Sequence, residues 1–326
     1  MTKPELSLPT MMLSSSGIVL AELHERLKHI AGQKQNNYCC HDYLYDTFSS
    51  ITADQIAMAK HTQKIRKEII LKLIDIVDHL DIDREVVHTA VSMIDRYLSL
   101  LPPSFLPEED SLPIDLIGLS ALCIAVKFQV GVMARRHIPF IYSLAPIYSK
   151  QDYNDAELAI LKILKWNVNF PSAASIVQDL GAAIPTPWRP EGNPSSANGY
   201  KDAIIDRASY LTLLALLEYD FVPRHPSSIA LAAMMMSIEI ETDSKIFIKS
   251  PTPPRYSPFI SIVELCFGDC ISCLDEEVRW CYREIHRIWS KHWHCFDRPS
   301  SPRGAEMLEG TFWCHEGIQG ANSFDN

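Results

Sequence analysis

Apolar residues recur at intervals of three or four along almost the whole chain, and we find no convincing run of alternating apolar and polar residues. An interval of three or four places side chains on one face of an α-helix, whereas a half-buried strand requires alternation. Glycine, at 12 of 326 residues, seldom interrupts the pattern. The sequence therefore predicts an all-α protein.

Five helices are predicted in the first half of the chain, each with an apolar stripe. The third is apolar on nearly every side, which is typical of the helix at the centre of a domain. In the fifth we place Glu157 at the start, with Leu158 and Leu161 on the inner side. The predicted ranges are 63–80, a helix opening at 84, 114–130, a short helix within 138–148, and 152–166.

A second helical series follows a loop rich in proline, glycine, asparagine and serine at residues 185–200. Its predicted helices cover residues 202–219, 226–241, 258–267 and 275–293. The central helices of both halves carry small residues at a matched position, Gly118 and Ala230, which favours close packing of neighbouring helices. We therefore divide the chain into a partly ordered extension (1–40), two helical domains (41–170 and 171–297) and a disordered tail (298–326).

Composition narrows the class of protein. The chain has 30 Lys and Arg against 40 Asp and Glu, a net charge of −10 that argues against a nucleic-acid partner. Its longest uncharged apolar stretch, Leu116–Val126, is shorter than the roughly 20 residues that span a bilayer. Nine cysteines, an odd number, and the lack of an apolar signal segment at the start predict reduced thiols in the nucleus or cytoplasm.

Four segments of the first half, in order and at compatible spacing, resemble a cyclin box. The most specific is REVVHTAVSMIDRYLS at residues 84–99, which resembles the second helix of that fold. The others are IRKEI at 65–69, ALCIAVKF at 121–128 and ELAILKILKWNV at 157–168. The segment PSSIALAA from Pro226 extends a weaker resemblance into the second half. The resemblance implies two tandem five-helix cyclin-box domains, the second more divergent.

The resemblance also implies a function. Cyclins are regulatory subunits that bind and activate cyclin-dependent serine/threonine kinases, so we expect such a kinase as partner and a role in cell-cycle control. We expect no catalytic residue, no cofactor and no small-molecule substrate. By the resemblance, Lys127 and Glu157 form the polar centre of the kinase interface, and Arg66 and Asp95 form a buried ion pair between the first two helices. The apolar residues expected around the polar centre are Ile124, Phe128, Leu158, Leu161, Trp166 and Val168.

Two alternatives remain open. A cyclin fold can also serve as a binding module in transcription or nutrient signalling. Separately, Cys266, Cys270 and Cys273 have a spacing that radical enzymes use to hold an iron–sulfur cluster, and nearby Cys and His residues suggest zinc. The lack of a repeating strand pattern opposes the iron–sulfur reading, and cysteine is often a small buried apolar residue. The zinc candidates are Cys281, His292, His294 and Cys295.

Overall fold

The structure of the chain is a computed structural model. The structure describes residues 21–22, 24–30, 40, 42–45, 53–101, 112–181, 184, 197–242, 259, 263–264, 272 and 275–292. All regular secondary structure within these ranges is helical, so the all-α prediction is confirmed. The predictions for residues 1–20 and for the tail lie outside this part of the chain, and the domain boundaries stay predictions.

The first unit is built from five α-helices, four of which surround a central one. The third helix is buried along its whole middle section and contacts each of the other four, as its apolar composition predicts. A 3-10 turn, Gly131–Met133, joins the third helix to the fourth. The helices are α1 (Ala53–His79), α2 (Glu85–Leu100), α3 (Ile114–Gln129), α4 (Ala134–Ser143) and α5 (Lys150–Ile163).

Two starting points in this unit were predicted wrongly. Helix α1 begins at Ala53 rather than at residue 63, and α4 begins at Ala134 rather than at 138 or later. Of the residues that α1 gains, those at 56–62 are mostly exposed and do not form the apolar stripe from which the helix was predicted. Periodicity marks the part of a helix that packs and gives little signal for a turn that faces solvent.

Close approach of α1 and α3 depends on a small residue, as predicted. A Cβ atom added to Gly118 would lie 2.8 Å from the Cγ2 methyl of Ile69, closer than real Cβ contacts allow. Ile69 is branched at Cβ and therefore stiff at χ1, so it has little freedom to retreat. Glycine at this position sets the distance between the two helices. The matching Ala230 of the second unit is fully buried.

The second unit repeats the plan, with a central helix that contacts the other three described helices. Its helices are α6 (Ala173–Gly181), α7 (Ala197–Leu217), α8 (Pro226–Thr242) and α9 (Glu276–His292), with a 3-10 turn at Tyr219–Phe221. Helix α6 was missed, because it is short and begins just after Pro171, beside the boundary that we placed at residue 170. Of the helix predicted over 258–267, only residues 259, 263 and 264 are described, and all three are helical.

The two units are in contact through α1 with α7 and through α2 with α6 and α7. One hydrogen bond across this junction joins the guanidinium of Arg66, on α1, to the carbonyl oxygen of Leu216, on α7, at 3.0 Å. Among the described residues, no helix is both long and apolar enough to cross a membrane.

Candidate partner-binding site

The last turn of α3 and the middle of α5 present an ion pair at the surface. The ammonium of Lys127 lies 2.6 Å from each carboxylate oxygen of Glu157. The lysine side chain is 42% exposed and the glutamate side chain 12%, so the carboxylate is largely covered while the ammonium reaches solvent. We expected Glu157 to open α5, but the helix begins at Lys150, and Glu157 lies in its middle. The pair can still donate to and accept from another protein's backbone.

The inner side of this ion pair is poorly solvated. Burial raises the pKa of the Cys123 thiol, one turn before Lys127, and the Glu157 carboxylate raises it further. Burial also raises the pKa of Tyr142 to about 12, with smaller contributions from Cys123 and Glu157. Charge-assisted hydrogen bonds are stronger in such surroundings than in open water. The pair therefore lies at the boundary between the core and solvent.

The six apolar residues predicted around the pair divide into two groups. Phe128 and Leu158 are exposed beside Lys127 and Glu157, and Trp166 follows the end of α5 with 65% of its surface exposed. We call the surface formed by Lys127, Phe128, Glu157, Leu158 and Trp166 the α3–α5 surface. Ile124 is buried in the core, and Leu161 and Val168 are half-buried. Placing Leu158 on the inner side of α5 was wrong.

Sequence reasoning missed two further exposed apolar residues next to this surface. Val132 and Met133 form the 3-10 turn that follows α3, and both are largely exposed. Gly131, which has a φ of +60°, allows the chain to turn there. A glycine just after a long apolar helix is the signal that could have marked this exposed turn.

An unusual backbone turn holds Trp166 outward. Helix α5 begins with a capping box between Ser149 and Asp152. After the helix ends, Lys165 and Trp166 have φ angles of 52° and 61°. The Trp166 amide donates to the carbonyl oxygen of Leu161 at 2.8 Å, which closes the last turn. Residues other than glycine rarely adopt this conformation, and such strain concentrates at functional sites.

The charged residues Arg66 and Asp95 form a buried pair between α1 and α2. Two hydrogen bonds of 2.7 Å join the guanidinium to the two carboxylate oxygens. Their side chains are only 4% and 7% exposed. Tyr43 also donates to the Asp95 carboxylate, at 3.0 Å. Burial opposes the charge of Arg66, but the adjacent Asp95 raises the pKa of the guanidinium above its ordinary value. The pair therefore joins α1 to α2 in the interior of the protein.

Residues 42–45 extend the same network to the second unit, which the sequence did not indicate. The Tyr219 hydroxyl donates to Asp42 at 2.9 Å and accepts from the Leu44 amide at 3.1 Å. The rings of Tyr43 and Tyr219 meet edge to face at 5.3 Å. Burial, followed by the charge of Asp42, raises the pKa of Tyr219, so its hydroxyl keeps its proton. This short segment therefore connects both helical units.

The cysteine predictions are mostly outside the described residues. Cys266, Cys270, Cys273 and the candidate zinc ligands His294 and Cys295 fall there, as does the side chain of His292. Cys281 is buried on α9. In the part of the chain that is described, no group of three His, Cys, Asp or Glu residues is arranged to hold a metal ion.

Comparison with protein families gives two matches in tandem. Residues 40–169 match the profile described as "Cyclin, N-terminal domain", and residues 194–292 match "Cyclin, C-terminal domain". The chain is 25% identical over 224 residues to a G2/mitotic-specific cyclin-B of Patella vulgata. It is 24% identical over 233 residues to the cyclin-B of Hydra vulgaris. These alignments cover 66% and 69% of this chain but only 50% and 58% of the relatives.

A solved structure shares the fold. A viral cyclin from herpesvirus saimiri superimposes with a TM-score of 0.51 at 17% identity, covering 84% of this chain and 97% of the viral one. At this level of identity the likeness concerns the fold. It agrees with the order of helices, in which two units each surround a buried central helix.

Proposed function

The chain belongs to the cyclin family, and on that premise we propose that it binds and activates a cyclin-dependent serine/threonine kinase in cell-cycle control. The names of its relatives, which are G2/mitotic-specific cyclins, support the cell-cycle role. The proposal makes the chain a regulatory subunit that supplies no catalytic group. The buried free thiol of Cys123 agrees with a place in the nucleus or cytoplasm, where thiols stay reduced.

The observation that carries the proposal is the composition of the α3–α5 surface. A single exposed apolar side chain is ordinary on a soluble protein. Here, however, Phe128 on α3 and Leu158 on α5 directly adjoin an ion pair whose lysine side chain is 42% exposed. Trp166, just after the end of α5, is also exposed. Interfaces typically combine aromatic anchors with a few polar groups, and a tryptophan often contributes most of the binding energy.

Activation follows as a shift between kinase conformations. Protein kinases need an ion pair between a lysine on strand β3 and a glutamate on helix C, and the position of helix C controls whether it forms. A partner that binds only the inward position of helix C shifts the equilibrium by its difference in affinity for the two states. In our proposal, Lys127 and Glu157 contact backbone groups near helix C while the exposed apolar residues pack against it.

A charge exchange tests this role without removing the ion pair. The double variant Lys127→Glu/Glu157→Lys keeps opposite charges in contact, so its melting temperature should stay near that of the wild type. It reverses the polarity offered to the partner, so affinity capture from the native cell should recover less kinase, by at least tenfold. A matched control exchanges another surface pair, Asp78→Arg/Arg84→Asp, whose bonds are of similar length, 2.6–2.7 Å.

The outcomes of this experiment separate clearly. Loss of the kinase with the first exchange and its retention with the control would support the α3–α5 surface as the binding site. Equal recovery with all three proteins would refute that site. If the wild-type chain recovers no kinase, the proposed kinase binding is refuted, and activation through it falls as well. A recovered kinase that acts in transcription or nutrient signalling would replace the cell-cycle role with the alternative one.

A further inference from the structure

A cavity of about 90 Å³ lies between the two helical units, away from the α3–α5 surface. Helix α2 of the first unit contributes His88 and Arg96 to its wall. The second unit contributes Arg224 and His225, which precede α8. One water molecule needs roughly 10–15 Å³ of such space, so the cavity has room for a larger group. Both units would contact whatever occupies it.

Two polar side chains that line the cavity have donor groups without a hydrogen-bond partner within the described chain. The ring of His88 is 96% buried and makes no hydrogen bond or ion pair with any described residue. The Nε atom of Arg224 is buried without a hydrogen-bond partner, while its guanidinium lies over the Trp280 ring at 4.1 Å. Buried polar groups in folded proteins nearly always have partners. Both are donors that a ligand in the cavity could satisfy.

The charges around the cavity favour an anion. The Asp95 carboxylate is already engaged by both donors of Arg66. Glu218, the other carboxylate in the wall, lies 3.7 Å from Lys67. Arg96 adds a guanidinium that lies over the Phe170 ring at 3.6 Å and donates to the Asn167 carbonyl oxygen. The described wall holds three arginines and two carboxylates, and one further carboxylate, that of Glu277, accepts from the His225 amide at 2.8 Å. Since Asp95 is bound by Arg66, the guanidinium of Arg224 is the donor that faces no carboxylate in the wall.

We propose that this cavity binds a small oxyanion, a phosphate or a phosphoryl group, which accepts hydrogen bonds from His88 of one unit and Arg224 of the other. Arginine is well suited to such groups, because its planar guanidinium matches the geometry of phosphate oxygens. Burial lowers the pKa of His88 to about 4, so at neutral pH the imidazole is uncharged and has one N–H to donate. The ligand would join the two helical units.

The proposal is tested by titrating the full chain with inorganic phosphate at pH 7, against sodium chloride of equal ionic strength. Calorimetry should show saturable binding of phosphate. The NMR signal of the His88 ring, which is assigned with the variant His88→Gln, should shift in proportion to the fraction of protein bound. Arg224→Gln should weaken binding at least tenfold while its melting temperature without phosphate stays close to that of the wild type. Arg135→Gln, which removes an exposed cation on α4, is the control and should bind normally.

Absence of saturable binding would refute the site, as would equal binding by the wild-type and Arg224→Gln proteins. If Arg224→Gln does not fold, the signal of His88 in the wild-type protein still decides, because phosphate bound elsewhere would leave it unmoved. A second titration with O-phosphoserine distinguishes the source of the anion. Binding of both compounds indicates a phosphorylated side chain as the natural ligand, and binding of phosphate alone indicates a free oxyanion. Kinase binding plays no part in either result.

Discussion

Removing the buried carboxylate of Asp95 should destabilise the protein far more than removing an exposed carboxylate. In the variant Asp95→Ala, the guanidinium of Arg66 loses two hydrogen bonds of 2.7 Å in a site where its side chain is only 4% exposed. Stranding one partner of a buried ion pair costs roughly 3–5 kcal/mol. Tyr43 loses an acceptor as well, worth about 1 kcal/mol, while Arg66 keeps its bond to Leu216.

We therefore expect a loss of about 4 kcal/mol, a large part of the 5–15 kcal/mol that typically separates folded from unfolded protein. For a folded region of this size, that loss lowers the melting temperature by roughly 10–15 °C. Urea unfolding followed by circular dichroism, together with a thermal melt, measures both quantities. The apolar pair Arg66→Met/Asp95→Leu should recover at least half of the loss, because it leaves no unpaired charge.

A second aspartate provides the control. Asp78 forms an equally short bidentate pair with Arg84, at 2.6 and 2.7 Å, but the two side chains are 34% and 23% exposed. Water can solvate the arginine when its partner is removed, so Asp78→Ala should cost less than about 1 kcal/mol. Similar costs for the two variants, or a fall of only a degree or two for Asp95→Ala, would refute the argument from burial.

Three further changes have expected outcomes. Burial lowers the pKa of His88 from 6.5 to about 4. As the pH drops from 6.5 towards 4, the unfolded chain therefore binds a proton at this residue before the folded chain does. The free energy of unfolding falls over this range by up to about 3 kcal/mol. Urea titrations at pH 7 and 4.5 should show a smaller fall in the free energy of unfolding for His88→Gln than for the wild type. An equal fall in the two proteins would contradict this. Gly118→Ala should cost about 1–2 kcal/mol in thermal melts, because its Cβ would lie 2.8 Å from a methyl of Ile69, and Ile69→Leu should recover part of it. Trp166→Gly should leave stability unchanged or raise it by about 1 kcal/mol, since glycine tolerates a φ of 61°, while kinase recovery falls at least tenfold. Lower stability together with full kinase recovery would contradict that assignment of Trp166.

The sequence alone determined the class of fold and the identity of the central helices. Helix α3 is apolar on nearly every side, and such a helix can be stable in water only if other helices surround it. The sequence likewise predicted that Gly118 allows a neighbouring helix to pack closely against α3. The burial of α3 and the close packing at Gly118 can both be predicted locally, because the period and composition of one segment determine which of its faces must be buried.

Only the tertiary structure decided which side chains remain for a partner. Leu158 and Ile124 were both predicted to line the interface, yet one is exposed and the other belongs to the core. Lys127 and Glu157, thirty residues apart, meet at 2.6 Å because α3 and α5 pack together. The cavity between the units likewise exists only where α2 meets residues far along the chain. A periodic pattern specifies how much of a helix is buried, but exposure at the edge of a bundle depends on where the neighbouring helices end, and that is a property of the packed fold.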